Sequence, residues 1–183
     1  MAVQSKEDQL SKTILENSPL KRWHFEEFVR ETNMTRAIIN KWLKRYQKEG
    51  LIKKVKERGK FPYYTCGLNN PVYKSKKKFY AINQLYQSGL IDHLMGLKRV
   101  KTAIVFGSIP RGDWYKDSDV DLFILGDAKG IDKHKYELKL KRDIELHVFS
   151  SNKDVKRVRT GLIKNVVNGY IVKGTIQDFA EVS

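Results

Sequence analysis

Residues 107–124 read GSIPRGDWYKDSDVDLFI. A Gly-Ser pair closes one apolar run, and two aspartates one residue apart open the next. Upstream, the β-rich run VKTAIVF at 100–106 reads as a buried strand. Gly107 permits a backbone conformation and a close approach that a Cβ would block. Ser108 adds a hydroxyl and a backbone N–H, and Pro110 suits a first helical turn. Strand, tight turn and helix start make a place to receive phosphate oxygens, with the Arg111 cation beside it. Downstream, SDVDLFIL at 118–125 reads as a second strand. Side chains alternate across a strand, so Asp119 and Asp121 share a face, with Cα atoms about 6.6 Å apart. Two unpaired anions next to a core repel each other and lose hydration. A divalent cation removes that cost. An isolated Asp-x-Asp at a strand end is more often a solvated pair; joined to the Gly-Ser turn it is far more specific.

That combination, Gly107-Ser108 followed by Asp119-Val120-Asp121 with Asp119 eleven positions after Ser108, resembles the Gly-Ser…Asp-x-Asp motif of nucleotidyltransferases in the polymerase-beta superfamily. The minimal nucleotidyltransferases, with G-S-x-x-R-G…S-D-x-D-L, are the nearest likeness, over roughly residues 90–170. The resemblance implies a third carboxylate on a neighbouring strand. RDIELHVFS contains such a strand at 143–149, with Asp143, Glu145 and His147 on one face and Ile144, Leu146 and Val148 on the other. Glu145, the central acid, is the first choice and Asp143 the second; the family often has the shorter Asp. His147 is either a ligand or base, or a partly buried strand histidine, and the second is expected. His24, His93 and His134 have no partner at zinc spacing and read as structural.

The resemblance also implies the chemistry. Asp119, Asp121 and Glu145 are the expected catalytic residues and the ligands of two Mg²⁺ ions. Gly107 and Ser108 bind the β/γ-phosphates of a nucleoside triphosphate, expected to be ATP, and Arg111 offsets charge as pyrophosphate leaves. The product is a nucleoside monophosphate ester of an acceptor the sequence does not disclose. Trp114 and Tyr115 are expected to cover the loop that carries them rather than to stack on a base.

The N-terminal region has a different pattern. Helices are expected over 5–17, through Leu10, Ile14 and Leu15, and over 22–31, through Trp23, Phe25, Phe28 and Val29. From Arg36 to Glu49 the apolar positions Ile38, Ile39, Trp42, Leu43 and Tyr46 form one helical stripe, with Thr35 or Asn33 as cap and Gly50 as stop. The opposite face is basic. LIKKVKERGKFPYYTC at 51–66 then reads as a hairpin turning at Arg58-Gly59-Lys60, with Pro62 suited to an edge strand. The whole resembles a winged helix-turn-helix. That implies double-stranded DNA as a partner, with the third helix in the major groove and the hairpin on the backbone or minor groove. Arg36, Asn40, Lys41, Lys44 and Arg45 are the groove candidates. Arg58 and Lys60, with Lys53, Lys54 and Lys56, are the wing candidates. Such modules often dimerise on paired half-sites, so a homodimer is an expectation.

Composition agrees with these readings. The 183 residues carry 36 basic and 21 acidic side chains, net +15, distributed as +7 over 1–66, +5 over 67–100 and +3 over 101–183. Positive charge attracts phosphate, although a lysine-rich surface alone accounts for some of it. With 40% hydrophobic residues and no apolar run of membrane-spanning length, neither disorder nor a membrane helix is expected. A single cysteine, Cys66, excludes an intrachain disulfide. The polar start MAVQSKEDQL lacks a signal core. A soluble, cytoplasmic protein is expected.

The expected fold class is α+β. A winged helix-turn-helix at 1–68 precedes a linker and helix at 69–89 and a nucleotidyltransferase α/β domain with a small mixed sheet at 90–183. Within this, NNPVYKSKKKF at 69–79 reads as an exposed linker. Residues 79–97 read as helical with Phe79, Ile82, Leu85, Tyr86, Leu90, Leu94 and Met95 inward. Residues 152–168 read as one basic helix, GYIVKG as a short strand, and TIQDFAEVS as a loose tail. Two further function classes stand beside the enzyme. One is a winged-helix transcriptional regulator whose transferase-like domain binds nucleotide or a partner without turnover. The other is an antitoxin-type protein with a toxin, or another protein acceptor, as partner.

Overall fold

Leu10, Ile14 and Leu15 repeat at helical spacing, and all three are buried on α1, Lys6–Glu16, in the computed structural model, which describes residues 6–180. Residues 1–5, part of the polar start expected to lack a signal core, and residues 181–183 at the end of the tail lie outside the described residues. By contacts the chain forms two units, one running to Lys77 with Asp113–Lys116, the other comprising Lys78–Gly112 and the chain from Asp117 onward.

In the first unit, α2 spans Phe25–Thr32 and α3 spans Arg36–Lys48. Trp23 stands ahead of α2 rather than inside it. Its backbone is already committed, since Trp23 N–H donates to Tyr64 O at 2.9 Å and Tyr64 N–H to Trp23 O at 2.8 Å. Its ring stacks on Phe28, centroids 4.9 Å apart. The Glu27 carboxylate accepts from the His24 N–H at 2.6 Å, which satisfies a free donor at the start of α2. Asn33 caps the end of α2, not the start of α3: it adopts a left-handed conformation, φ 52°, and its N–H bonds Val29 O. Thr35 holds the N-cap position of α3 without a side-chain bond to it. Ile39, Leu43 and Tyr46 form the buried stripe of α3. Two strands follow, β1 Ile52–Val55 and β2 Tyr63–Cys66, paired antiparallel with Ile52 opposite Cys66 and Val55 opposite Tyr63.

The stretch expected as a linker is instead the start of a long helix, α4, Pro71–Ser88. Asn70 Oδ1 accepts from Val72 N–H at 2.8 Å, and Pro71 occupies the first helical position, where a missing N–H costs nothing. Its buried stripe is Tyr73, Lys77, Ala81, Leu85 and Ser88. That stripe is rotated from the expected set: Phe79 is 74% exposed, and Tyr86 is exposed as well. A lysine inside the stripe displaced the apolar reading. Lys77 is fully buried, and its Nζ donates to Leu15 O at 2.7 Å and Asn17 O at 3.2 Å, carbonyls at the end of α1. The Trp114 ring lies 4.6 Å from that nitrogen, and its own Nε1 donates to Lys77 O at 3.1 Å. Lys116 N–H takes Glu16 O at 2.7 Å. The α1 carbonyls that have no partner within their helix are thus met by a cation and an N–H from distant segments.

The second unit is built on a four-stranded sheet in the order β5-β4-β3-β6. A left-handed Gly89 separates α4 from α5, Leu90–Gly96. Met95 of α5, expected inward, is exposed. Then come β3, Val100–Phe106; the one-turn α6, Ser108–Arg111; β4, Val120–Gly126; α7, Lys133–Leu140; and β5, Ile144–Phe149. β3 is antiparallel to both β4 and β6, whereas β4 and β5 are parallel, with α7 in the connection that a parallel pair requires. The expected single helix at 152–168 is two, α8 Asn152–Lys156 and α9 Thr160–Val167. β6, Tyr170–Lys173, is the expected short strand. The tail up to residue 180 is fastened rather than loose. Phe179 is buried 4.7 Å from the Phe123 ring, and Asp178 Oδ2 accepts from Thr102 Oγ1 at 2.7 Å and Thr175 N–H at 2.8 Å. Ile104, Phe106, Phe123, Leu125, Val155 and Val166 complete that core. No described helix is long and apolar enough to cross a membrane.

Candidate active site

Strand register brings distant acids together. Phe106 of β3 stands opposite Asp121 of β4, and Asp121 stands beside Glu145 of β5. His147, two residues on, pairs with Phe123. Two-residue periodicity returns it to the face of Glu145. The ligand atoms of Asp121, Glu145 and His147 all lie within 4.8 Å of one another. His147 Nε2 is 3.3 Å from Glu145 Oε1, and the imidazole rests edge-on against the Phe106 ring with centroids 5.1 Å apart.

At the end of β3 the chain turns sharply. Gly107 adopts φ 76°, ψ −138°, and a Cβ there would overlap the Asp121 carboxylate. Glycine therefore serves both the backbone conformation and the approach of the turn to the acid. Ser108 begins α6 directly afterward, and Arg111 is its last residue. Trp114, buried against Lys77 in the first unit, is unavailable as a base-stacking platform.

Asp121 is half-buried on its strand, while Asp119 and Glu145 are exposed. Burial first, then the charge on Glu145, raise the Asp121 carboxyl above its ordinary value; Asp119 adds to this, and His147 and Arg111 oppose it. Among the described residues no hydrogen bond meets that carboxylate. Loss of hydration and like charge thus act together with no donor to offset them, which is the condition that bound cations relieve. The donor set fits a divalent ion.

Of the three acids expected from the sequence, Asp121 and Glu145 are adjacent. Asp119 precedes β4 by one residue and lies outside the close group, near enough for its charge to act on Asp121. Asp143 likewise precedes β5 and is outside the group. His147 joins it. The signal was present in the sequence, since Glu145 and His147 alternate onto one strand face.

Residues 89–175 match the family model for polymerase beta, nucleotidyltransferase. The matched segment is just under half of the chain and contains the Gly107-Ser108 turn and the Asp119, Asp121, Glu145 and His147 side chains. No curated protein matches the chain. Among solved structures, the chain is similar to one described as "Crystal structure of the toxin-antitoxin with AMP-PNP", at 21% identity and a TM-score of 0.34, over 55% of this chain and 76% of that one.

The first unit carries its own basic face. Arg36, Asn40, Lys41, Lys44 and Arg45 are all exposed along α3, and Arg58 and Lys60 along the hairpin turn. Phe25, Arg36, Ala37, Asn40, Lys54, Pro62 and Tyr64 line a cleft of about 510 Å³ between α3 and the hairpin. Two of the arginines are engaged: Arg36 forks onto Glu26 at 3.0 and 2.8 Å, and Arg45 bridges Glu49 at 2.7 Å and Glu7 at 3.4 Å. Lys60 Nζ is 2.6 Å from Glu57. These are surface pairs, each worth little to stability.

Proposed function

We propose that the chain is a metal-dependent nucleotidyltransferase with a DNA-binding head. In this reading residues 90–183 form the transferase domain, residues 1–68 a winged helix-turn-helix, and 69–89 the join. The observation that carries it is the cross-strand pair Asp121–Glu145 beside the Gly107-Ser108 turn, inside the segment that matches the nucleotidyltransferase family.

Asp119, Asp121 and Glu145 would hold two divalent ions, Mg²⁺ in the ordinary case for oxygen ligands. Such ions supply charge neutralisation at the triphosphate and a lowered pKa at the acceptor hydroxyl. The chain does the rest. The turn N–H groups and Ser108 hydroxyl receive the β- and γ-phosphate oxygens of the triphosphate, and the Arg111 guanidinium offsets charge on the departing pyrophosphate. The acceptor oxygen bonds to the α-phosphorus, the bond from that phosphorus to the bridging oxygen breaks, and the hydroxyl proton passes to the Glu145 carboxylate. The products are a nucleoside monophosphate ester and pyrophosphate.

Incubation with each labelled nucleoside triphosphate, Mg²⁺ and a cell extract tests this. Label transfer that disappears in folded Asp119→Asn and Asp121→Asn is expected, and full activity in either variant removes the mechanism. Nucleotide binding without transfer in every extract supports the regulator reading instead. For the head, duplex DNA affinity that falls steeply with salt and is lost in the Arg36/Lys41/Arg45 triple alanine variant is expected. No affinity at low salt overturns it.

A further inference from the structure

The group nearest the Asp121–Glu145 pair is an imidazole, not a third carboxylate. Building on the proposed metal site, we infer that His147 is an inner ligand and that this centre therefore holds a first-row transition dication in preference to magnesium. Three observations carry this. The ligand atoms of Asp121, Glu145 and His147 lie within 4.8 Å of one another, so small side-chain adjustments gather all three around one ion. Asp119 and Asp143 lie outside that group. The imidazole is placed by packing: the Phe106 ring meets it edge-on at 5.1 Å, and Nε2 faces Glu145 Oε1 at 3.3 Å. Phe106 is itself buried on the central strand β3, so the ring rests on a fixed support.

Ligand chemistry sets the preference. Magnesium takes oxygen ligands in strict octahedral geometry and dehydrates reluctantly. An imidazole nitrogen is a poor exchange for one of its waters and a better ligand for first-row transition ions, least for Mn²⁺ and more for the later members of the row. A site of two carboxylates and one imidazole thus separates the two classes, which an all-carboxylate site does weakly.

Manganese is the probe, because its unpaired electrons report a bound nitrogen. Electron spin echo modulation on Mn²⁺-loaded full-length protein, without nucleotide, is expected to show ¹⁴N coupling. That coupling should be replaced by the ¹⁵N pattern when the protein is grown on ¹⁵N-histidine. In His147→Gln the nitrogen signal should vanish, and Mn²⁺ affinity by calorimetry should fall about tenfold or more, while Mg²⁺ affinity changes much less. Absence of nitrogen coupling in the wild type overturns the inference and leaves His147 as a partner of Glu145 only. Coupling that persists in folded His147→Gln also overturns it, because another histidine would then be the ligand. The wild-type spectrum decides the question even if that variant does not fold.

The outcomes separate this inference from the transferase reading. Nitrogen coupling without label transfer in any extract keeps the ligand and removes the enzyme. Transfer with Mg²⁺ and no coupling keeps the enzyme and removes the ligand. Failure of every divalent ion to bind removes both.

Discussion

Lys77 and Asp121 are both charged residues set against a core, and their surroundings are opposite. Lys77 is wholly enclosed, yet its ammonium has the carbonyls of Leu15 and Asn17 to donate to and the Trp114 ring beside it. Asp121 is only half enclosed, yet it faces Glu145, feels Asp119, and receives no hydrogen bond among the described residues. The first charge is answered within its own unit and holds a helix end in place. The second is crowded by two other acids, and the charges of His147 and Arg111 only partly oppose them. Burial of a charge by itself separates nothing; the company it keeps does.

The largest test of this contrast is at the acid. If Asp121→Asn removes a metal ligand, label transfer should fall by roughly a thousandfold, the equivalent of several kcal/mol of transition-state stabilisation. The same variant should melt a few degrees higher than the wild type in chelator, because burial and the neighbouring acids outweigh the charges of His147 and Arg111 at that anion. A lower melting point there breaks the comparison. Lys77→Met should behave in the opposite way. It keeps the stem, strands two carbonyls, and should cost about 1–3 kcal/mol in urea denaturation while leaving divalent-ion affinity unchanged. Gly107→Ala tests the approach of the turn to the acid. A positive-φ backbone and an overlap with Asp121 together predict a loss of about 1–3 kcal/mol in stability and weaker divalent binding by calorimetry.

Asp178 supplies the smallest effect and the cleanest pH dependence. The N–H of Thr175 first, then the hydroxyl of Thr102 and the Lys101 ammonium, hold its carboxyl below the ordinary value. A lowered folded pKa contributes stability at pH above the unfolded value and loses it as pH falls through the folded one. Asp178→Asn should therefore cost about 1 kcal/mol near neutrality. Urea titrations of the two proteins should converge as pH drops below the ordinary aspartate range. A gap that persists in acid would show that packing of Phe179, and not charge, fastens the tail.

Much of the second unit was legible because its signals are local. The β3 run, the Gly107-Ser108 turn and the alternating strands at β4 and β5 each announce themselves within ten residues or so, and the family motif links them. What the sequence could not yield was register. Whether Asp119 or Asp121 meets Glu145 depends on which residues of β4 and β5 pair across a connection through α7, and no local pattern encodes that offset. His147 illustrates the same limit: its strand face was readable, but its distance from Asp121 was not. The misreading of 69–79 had a different origin. A lysine run between Asn-Pro and an aromatic looks solvated, and only the carbonyls at the end of α1 explain why one of those lysines faces inward. The cap on Val72 by Asn70 was available from sequence, since Asn before Pro is also a helix start. The split between α8 and α9 had no comparable signal.

β5 lies at the border of its sheet, bonded to β4 on one side only. Two of the three clustered ligand side chains belong to it. An ion bound there would act as a clasp, pinning a border strand to its neighbour, so amide exchange along Glu145–Val148 should slow on loading while the interior of β3 barely changes. Loading state would then be readable from the backbone of one strand.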